Sequence, residues 1–426
     1  MTLVDSKYTL RNTNLFKPIQ VGSNFLQNRI VHAPVTRLRA SIDGIPTDLM
    51  LEYYHQRSQQ YGGLIVGEGA FISREASGLK YVAGIYNTEQ ANAWKLITDR
   101  IHQNGSFVSC QLWNMGRLAD LQELKRLGLP LIAPSVVYHS KDQEKAAQEA
   151  GNELKSLTLD QIEIFKNQYV EAAKIALNVA KFDYIELNAA HGYLLDQFLQ
   201  PSSNKRIDKY GGSIENRSRL ILEIIDLLIK EIGDSKKLAI RISPWGIFDG
   251  MKGENEIIHP IAGIGYLVSE LQQRANKGFP LAYVSVVEPK HSVDEAILLQ
   301  PNQWISEIWK GPVIRTGGYL RDYKKGNSKI IENDVNLNDK TLIGFGKYFT
   351  SNPDLPERLR NGWQLTPYDP STFATHTSYH YTDWKNWKDW KDWEKAVHDN
   401  AIGKVVSQNE PTQNDNGSHR EPIPLI

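Results

Sequence analysis

Residues 63–113 contain three consecutive segments, GLIVGEGAF (63–71), TEQANAWKLITDRIHQNG (88–105) and SFVSCQLW (106–113). The first and third are short apolar runs of the kind found in buried strands, and the second has the length of a helix that stops at a glycine. Two buried strands joined by a helix form a unit whose strands lie parallel. This stretch therefore predicts part of a parallel sheet that is covered by helices.

The same alternation of strand and helix continues on both sides of this stretch. Three more helices are predicted at 47–59, 158–180 and 213–233, with Thr47 and Ser213 as N-terminal caps. The other predicted strands are RIVHAP (29–34), FDYIEL (182–187), KLAIRIS (237–243), LAYVSVV (281–287), PVIRTGG (312–318) and TLIGFGK (341–347).

Eight such units predict a closed α/β barrel, the (β/α)8 or TIM barrel, which needs ~250 residues before insertions. An open doubly wound sheet is the alternative. That fold would show a GxGxxG turn after its first strand, and RIVHAPVTR (29–37) contains no glycine. We therefore favour the barrel.

The remaining length predicts additions to the barrel. FKPIQVGSNFLQNR (16–29) is expected to form a hairpin that plugs its N-terminal end, and long insertions are expected at 114–157, which is polar and poor in helix, and at 289–301. We divide the chain into a barrel over 1–375, a tryptophan-rich extension over 376–400 and a disordered tail over 401–426. Tryptophans 384, 387, 390 and 393 would spiral around a helix, which favours packing or self-association over a ligand site.

The composition excludes several classes of partner. Lys plus Arg and Asp plus Glu both number 49, so the basic excess of a nucleic-acid or acidic-membrane binder is missing. No apolar run approaches the roughly 18 residues of a membrane span. Cys110 is the single cysteine and lies in a predicted strand, so we expect a packed, inert thiol. We expect a cytoplasmic protein without a metal site. Whether the protein forms a homodimer is left open.

Polar residues and glycines collect where the predicted strands end, which is where barrels of this kind place their active sites. Each residue alone has an ordinary structural explanation, such as an arginine paired with a carboxylate, but their joint position on one rim favours a site. Glycines near a cation after strands seven and eight suit a phosphate. The residues are Thr36, Glu68, Gln111, Asn188, His191, Tyr193, Arg241, Gly317, Gly318, Gly344, Gly346 and Lys347.

The chain resembles the old yellow enzyme family of flavin-dependent ene-reductases, in particular its fungal branch, from about Phe16 to Phe373. The motifs that carry the resemblance occur in the family's order, and the segment 191–219 is highly specific. They are HAPVTRLRA, GEGAFIS, QLWNMGR, ELNAAHGYLLDQFLQPSSNKRIDKYGGSIENRSRL, RISPWG, VVEP, GPVIRTGG and LIGFGKYFTSNPDL.

The resemblance implies noncovalent FMN, with NADPH as the reductant. Thr36 would donate to the flavin O4, Gln111 would bond the pyrimidine edge, and Arg241 would lie near N1 and O2, where a cation favours the anionic reduced flavin. The full set of implied cofactor-binding residues is Pro34, Thr36, Gly67, Gln111, Arg241, Gly317, Gly318, Gly346 and Lys347.

The resemblance also implies enone or enal substrates and phenolic ligands. Asn188 and His191 would donate to the substrate's carbonyl oxygen, and Tyr193 would deliver the proton. Trp113 and Phe373 would wall the pocket. The first alternative is a flavoprotein that binds phenols or steroids and reduces enones poorly. A barrel lyase that binds a sugar phosphate is the second, but it lacks a Lys or paired carboxylates at the strand ends.

Four positions depart from the family's usual pattern. Asn188 precedes His191, whereas the pair is usually His with His, or His then Asn. Lys347 replaces a usual Arg and Gly318 a frequent Asn, so FMN is expected to bind less tightly. Ala374 follows Phe373 in place of a common Tyr, which would open one wall of the substrate mouth.

Overall fold

The computed structural model describes residues 9–59, 62–289, 302–320, 328–389 and 420–425. Eight parallel strands close into a barrel in chain order, with the last strand paired to the first, as predicted. The barrel strands are β3 (Ile30–His32), β4 (Leu64–Phe71), β5 (Phe107–Trp113), β8 (Tyr184–Ala189), β9 (Leu238–Ile242), β10 (Tyr283–Val287), β11 (Val313–Thr316) and β12 (Thr341–Phe345).

Helices connect these strands and cover the outside of the barrel. The helices are α1 (Asp48–Ser58), α2 (Thr88–Gln103), α3 (Leu121–Leu127), α4 (Lys141–Glu149), α5 (Leu159–Asn178), α6 (Leu194–Leu199), α7 (Ile214–Ile232), α8 (Pro260–Asn276), α9 (Gln303–Ile308), α10 (Lys329–Asn336), α11 (Lys347–Ser351) and α12 (Leu355–Asn361). None of these described helices has the length and apolar character needed to cross a membrane.

Local capping explains where several helices begin. Ser213 accepts the Asn216 amide at the start of α7, as predicted, and Thr158 forms a reciprocal capping box with Gln161 at the start of α5. Thr47 does occupy the N-cap of α1, but its hydroxyl makes no cap bond and donates instead to the Arg39 carbonyl oxygen at 2.6 Å.

The predicted N-terminal plug is present as a hairpin of β1 (Ile19–Val21) and β2 (Asn24–Leu26). Ile19, Val21 and Leu26 are buried in one cluster with the first residues of several barrel strands. Gly22, at φ +56°, is required at the tip because a Cβ there would clash with the Lys236 carbonyl oxygen. The hairpin therefore closes the end of the barrel that faces away from the predicted rim.

The insertion at 114–157 is not poor in helix, contrary to the prediction. It contains α3 and α4, capped by Asp120 and Ser140, and a short parallel pair of β6 (Ile132–Ala133) and β7 (Lys155–Ser156). The helices are short and mostly solvent-exposed, so their polar sequences lack the long run of regularly spaced apolar residues by which a helix is recognised. Of the predicted insertion at 289–301, residues 290–301 lie outside the described residues.

The segment 372–381 is bound to the barrel by three buried arginines, Arg37, Arg39 and Arg57, which we call the arginine clamp. Arg37 Nε and Arg39 Nη1 each donate to the Phe373 carbonyl oxygen at 2.9 Å. Tyr381 stacks on Tyr53 with ring centroids 4.5 Å apart, and the Arg39 guanidinium lies 4.4 Å from the Tyr381 ring centroid. The clamp thus fixes this segment against the C-terminal side of β3.

The last described residues also pack on the barrel, so the prediction of a disordered tail over 401–426 is wrong for residues 420–425. Pro424 pairs with Thr47, the Asp48 amide donates to the Ile423 carbonyl oxygen at 2.9 Å, and Arg420 forms a salt bridge with Asp48 at 2.8 Å. Residues 401–419 lie outside the described residues. The domain boundaries after 375 and 400 stay predictions.

Two of the four tail tryptophans can be placed. Trp387 stacks on Trp363 at 5.8 Å, and the Trp384 indole donates to the His380 carbonyl oxygen at 2.9 Å, which agrees with a packing role. Trp390 and Trp393 lie outside the described residues.

Candidate active site

The inside of the barrel carries a chain of polar side chains that leads to the rim. Gln111 Nε2 on β5 donates to Glu186 Oε1 on β8 at 2.7 Å, and Asn188 Nδ2 donates to Gln111 Oε1 at 3.1 Å. Asn188 pairs in register with Arg241 on β9, so both side chains leave the sheet on the same face. The structure thus brings Gln111, Asn188 and Arg241 together, as the sequence predicted.

Arg241 is a buried cation with unused donors. Its side chain is only 6% exposed, and burial lowers its pKa, while Glu186 opposes that shift. Nη2 donates to Thr316 Oγ1 at 3.2 Å, but Nε and Nη1 have no partner among the described residues. A buried guanidinium with open N–H groups needs an acceptor. The N1 and O2 edge of a flavin is such an acceptor, so this residue fits the implied FMN.

The loop after β8 holds His191 in a conformation that is uncommon for a residue with a side chain, at φ +59°. Its N–H donates to Ser243 Oγ at 2.8 Å, and Ser243 Oγ donates to Asp196 Oδ2 at 3.4 Å. Asp196 Oδ2 also accepts the Gly192 N–H at 2.9 Å. Burial raises the pKa of Asp196 to about 6. These bonds fix the loop that carries the imidazole.

Tyr193 lies beside the predicted pocket wall. Its ring meets the Trp113 ring edge to face, with centroids 4.6 Å apart, and Trp113 in turn stacks on Phe71 at 5.1 Å. A Cβ at Gly69 would come within 2.8 Å of the Trp113 ring, so this packing requires glycine there. Burial, aided by the charge of Asp249, raises the pKa of Tyr193 to about 12. The phenol therefore keeps its proton throughout the neutral range.

The predicted phosphate residues occupy the turns after β11 and β12. Gly317 and Gly318 have φ of +108° and +74°, and both are exposed. Gly346 precedes α11, and a Cβ there would lie 3.2 Å from Val35 Cγ2. Lys347 is exposed, with Nζ 5.7 Å from the Tyr368 ring centroid. Backbone N–H groups in such turns can approach a phosphate, as the prediction requires.

The remaining predicted residues lie around this rim, with one exception. Pro34 and Thr36 follow β3 and are half-buried, as is Phe373, which the arginine clamp holds in place. Gly67 is buried in an irregular part of β4, and a Cβ there would point toward Trp94 and Tyr54 on the helix side. Since glycine has no side chain, Gly67 can contact a ligand only through its main-chain atoms.

Glu68 is the exception, because its side chain does not reach the pocket. The register of β4 shifts between Val66 and Gly69, and this bulge turns Glu68 outward. Its carboxylate lies against the Tyr54 hydroxyl at 3.5 Å and the Arg37 amide at 3.4 Å. Burial raises the pKa of Glu68 to about 7. Its role is in the packing around the arginine clamp.

Sequence reasoning also missed residues that support the site. Glu186, Asp196 and Ser243 were not singled out, although all three are buried and bonded to predicted site residues or their loop. The signal for Glu186 was available, since it lies two residues before Asn188 and so shares its face of the strand.

The family model described as the NADH:flavin oxidoreductase / NADH oxidase family matches residues 14–366. The crystal structure of Old Yellow Enzyme from Pichia sp. AKU4542 superposes with a TM-score of 0.87 at 46% identity, covering 98% of this chain and all of that one. The chain belongs to the old yellow enzyme family. It is therefore an FMN-dependent oxidoreductase, and the open-sheet and lyase alternatives are excluded.

Curated relatives of this old yellow enzyme family member include two yeast proteins. A probable NADPH dehydrogenase of Candida albicans is 49% identical over 88% of this chain and 91% of its own length. Enoate reductase 1 of Kluyveromyces lactis is 39% identical over 88% of this chain and 94% of its own length.

Proposed function

We propose that this old yellow enzyme family member oxidises NADPH and reduces the activated C=C bond of α,β-unsaturated carbonyl compounds. What supports the proposal is that Asn188 pairs in register with the buried Arg241, and that the loop after β8 carries His191 and Tyr193, whose ring packs on Trp113. The name of the Kluyveromyces lactis relative, an enoate reductase, supports this substrate class. The name of the Candida albicans relative supports NADPH as the reductant.

Asn188 and His191 would hold the substrate's carbonyl oxygen. The Asn188 amide has two N–H groups, of which one goes to Gln111, so the other can serve the substrate. Negative charge gathers on the carbonyl oxygen as the β-carbon accepts a hydride. Two donors that are already in place stabilise that charge without reorganisation. FMN, when bound, would supply that hydride.

Tyr193 would deliver the proton to the α-carbon. Its pKa of about 12 keeps the proton on the phenol until a strongly basic enolate carbon is present. Trp113 fixes the ring from one side through the edge-to-face contact. The hydride from NADPH and one proton then account for the saturated product and NADP⁺.

The alternative function, binding of phenols or steroids with weak reductase activity, uses the same donor pair. Catalytic turnover of an enone distinguishes the proposed function from this alternative. We expect the purified yellow protein to reduce cyclohexenone catalytically with NADPH. Ligand binding that perturbs the flavin spectrum without such turnover would favour the alternative.

NADPH is expected to reduce the flavin faster than NADH does, in line with the family resemblance and the name of the Candida albicans relative. Anaerobic stopped-flow reduction with each nucleotide at matched concentrations measures the ratio. Equal or faster reduction by NADH would refute this preference.

Lys347→Arg is expected to tighten FMN binding several-fold. A guanidinium binds phosphate through a two-pronged contact, whereas an ammonium acts as a point charge. Fluorescence titration of apoprotein with FMN measures the dissociation constant, and Lys340→Arg, on the loop before β12, serves as the control. Weaker FMN binding in Lys347→Arg would show that residue 347 does not face the phosphate.

A further inference from the structure

Glu186 is a fully buried carboxylate that the proposed reaction does not use. It lies on β8 with its side chain inside the barrel, and it is 0% exposed. Asn188 pairs with Arg241 and Glu186 with Ala239 across β8 and β9. Glu186 is therefore the diagonal neighbour of Arg241 on the inner face, within reach of a long side chain. Burying a carboxylate at the centre of a barrel costs free energy unless hydrogen bonds or a nearby cation compensate for the lost hydration.

One consequence concerns the direction of two amide groups. Gln111 turns its NH₂ group toward Glu186 Oε1, at 2.7 Å, which is the orientation that an ionised carboxylate requires because it can only accept hydrogen bonds. Gln111 Oε1 then faces Asn188 Nδ2 at 3.1 Å, and Asn188 Oδ1 accepts the Ala190 N–H at 3.2 Å. Glu186, acting through Gln111, and the Ala190 N–H thus favour the same orientation of Asn188, with its NH₂ group toward Gln111.

A second consequence concerns charge. Burial raises the pKa of Glu186, and Arg241 and Gln111 counteract that shift. The same attraction works in the other direction, because Glu186 opposes the lowering of the Arg241 pKa by burial. The positive potential that Arg241 projects into the pocket is therefore reduced by a negative charge in the same dry interior.

We propose that Glu186 is a positioning residue that orients the amides of Gln111 and Asn188 and lowers the reduction potential of bound FMN by offsetting the charge of Arg241. The inference rests on the proposed function, since it takes Arg241 and Gln111 to border the flavin.

The charge role is tested by the midpoint potential of the bound flavin. Glu186→Gln preserves size and removes the charge, so the anionic reduced flavin gains stability. We expect the ratio of reduced to oxidised flavin at a fixed potential to rise at least tenfold, about 30 mV for a two-electron couple. The control is Glu223→Gln on α7, whose carboxylate pairs with Lys166 at 2.8 Å outside the barrel. A potential that matches wild type in Glu186→Gln would overturn the charge role.

The orientation role is tested by phenol binding. Glu186→Asp keeps the charge but withdraws the carboxylate from Gln111 by one methylene. We expect the dissociation constant of p-chlorophenol, read from the flavin spectrum, to rise at least tenfold while the potential stays closer to wild type than to Glu186→Gln. Wild-type phenol affinity would overturn the orientation role. Should Glu186→Gln fail to fold, this variant alone decides that role.

Arg241→Met distinguishes failure of this inference from failure of the proposed function. If Arg241 borders the flavin, the potential in this variant falls. A fall in Arg241→Met with no change in Glu186→Gln would refute the role of Glu186 and leave the proposed function standing. No change in either variant would show that Arg241 does not border the flavin. The inference would then fail at its premise, while turnover of cyclohexenone with NADPH would still decide the proposed function.

Discussion

Tyr193→Phe is expected to slow reoxidation of the reduced flavin by cyclohexenone by roughly 10²–10⁴, the usual contribution of a positioned acid. The substitution removes only the hydroxyl, so the ring contact with Trp113 at 4.6 Å should persist. FMN binding and reduction by NADPH should be nearly unchanged. Anaerobic stopped-flow absorbance measures the two half-reactions separately.

The proton donor should also be visible in the pH dependence. Because the pKa of Tyr193 is about 12, the phenol remains protonated up to about pH 10, and its contribution should stay constant over that range. Tyr266→Phe, on the outer helix α8, is the matched control and should behave as wild type. If Tyr193→Phe reoxidises as fast as wild type, water or another residue supplies the proton.

His191→Ala is expected to slow reduction of the enone by about 10²–10³, as the loss of one donor to a developing oxyanion does. It should also weaken phenol binding, because His191 holds the oxygen in the ground state as well as in the transition state. The phenol titration thus separates this variant from Tyr193→Phe, which should retain phenol affinity.

Because residue 191 has φ +59°, His191→Ala could also act by straining the backbone, and two further variants control for this effect. His191→Asn tolerates this conformation and keeps a donor, so it should retain more activity than His191→Ala. His102→Ala, which removes an imidazole bonded to Asp183 at 2.9 Å on the outside of the barrel, should leave both measurements unchanged. Unaltered phenol affinity in His191→Ala would exclude His191 as a ligand of the oxygen.

The barrel and most of the rim could be predicted from the sequence because their signals are local. Alternating apolar strands and helices predict a parallel sheet, the lack of a GxGxxG turn after the first strand favours a closed barrel, and the end of each strand marks the rim. Gln111, Asn188 and Arg241 were identified in this way, and the structure places them together. The position of a residue at a strand end can be predicted without knowing which distant residues it contacts.

The errors arose where distant contacts decide the outcome. The sequence predicts Glu68 on the rim at the end of a strand, but a β-bulge in β4 turns its side chain outward, and no residue of GLIVGEGAF indicates that bulge. Composition predicts disorder for residues 420–425, yet they pair with the start of α1, almost 380 residues earlier in the chain. The arginine clamp was missed for the same reason.

The arginine clamp has a consequence for how the substrate mouth can diversify. Its contacts with the segment 372–381 go mainly to main-chain carbonyl oxygens, including those of Thr372, Phe373 and Thr377. A carbonyl oxygen is the same whatever side chain the residue carries, so the segment keeps its path when its residues are exchanged. Ala374, exposed beside Phe373, is one position where such an exchange has no bond to the clamp to break. Substitutions in this segment, whether natural or engineered, can therefore change the substrate mouth with little loss of folding stability.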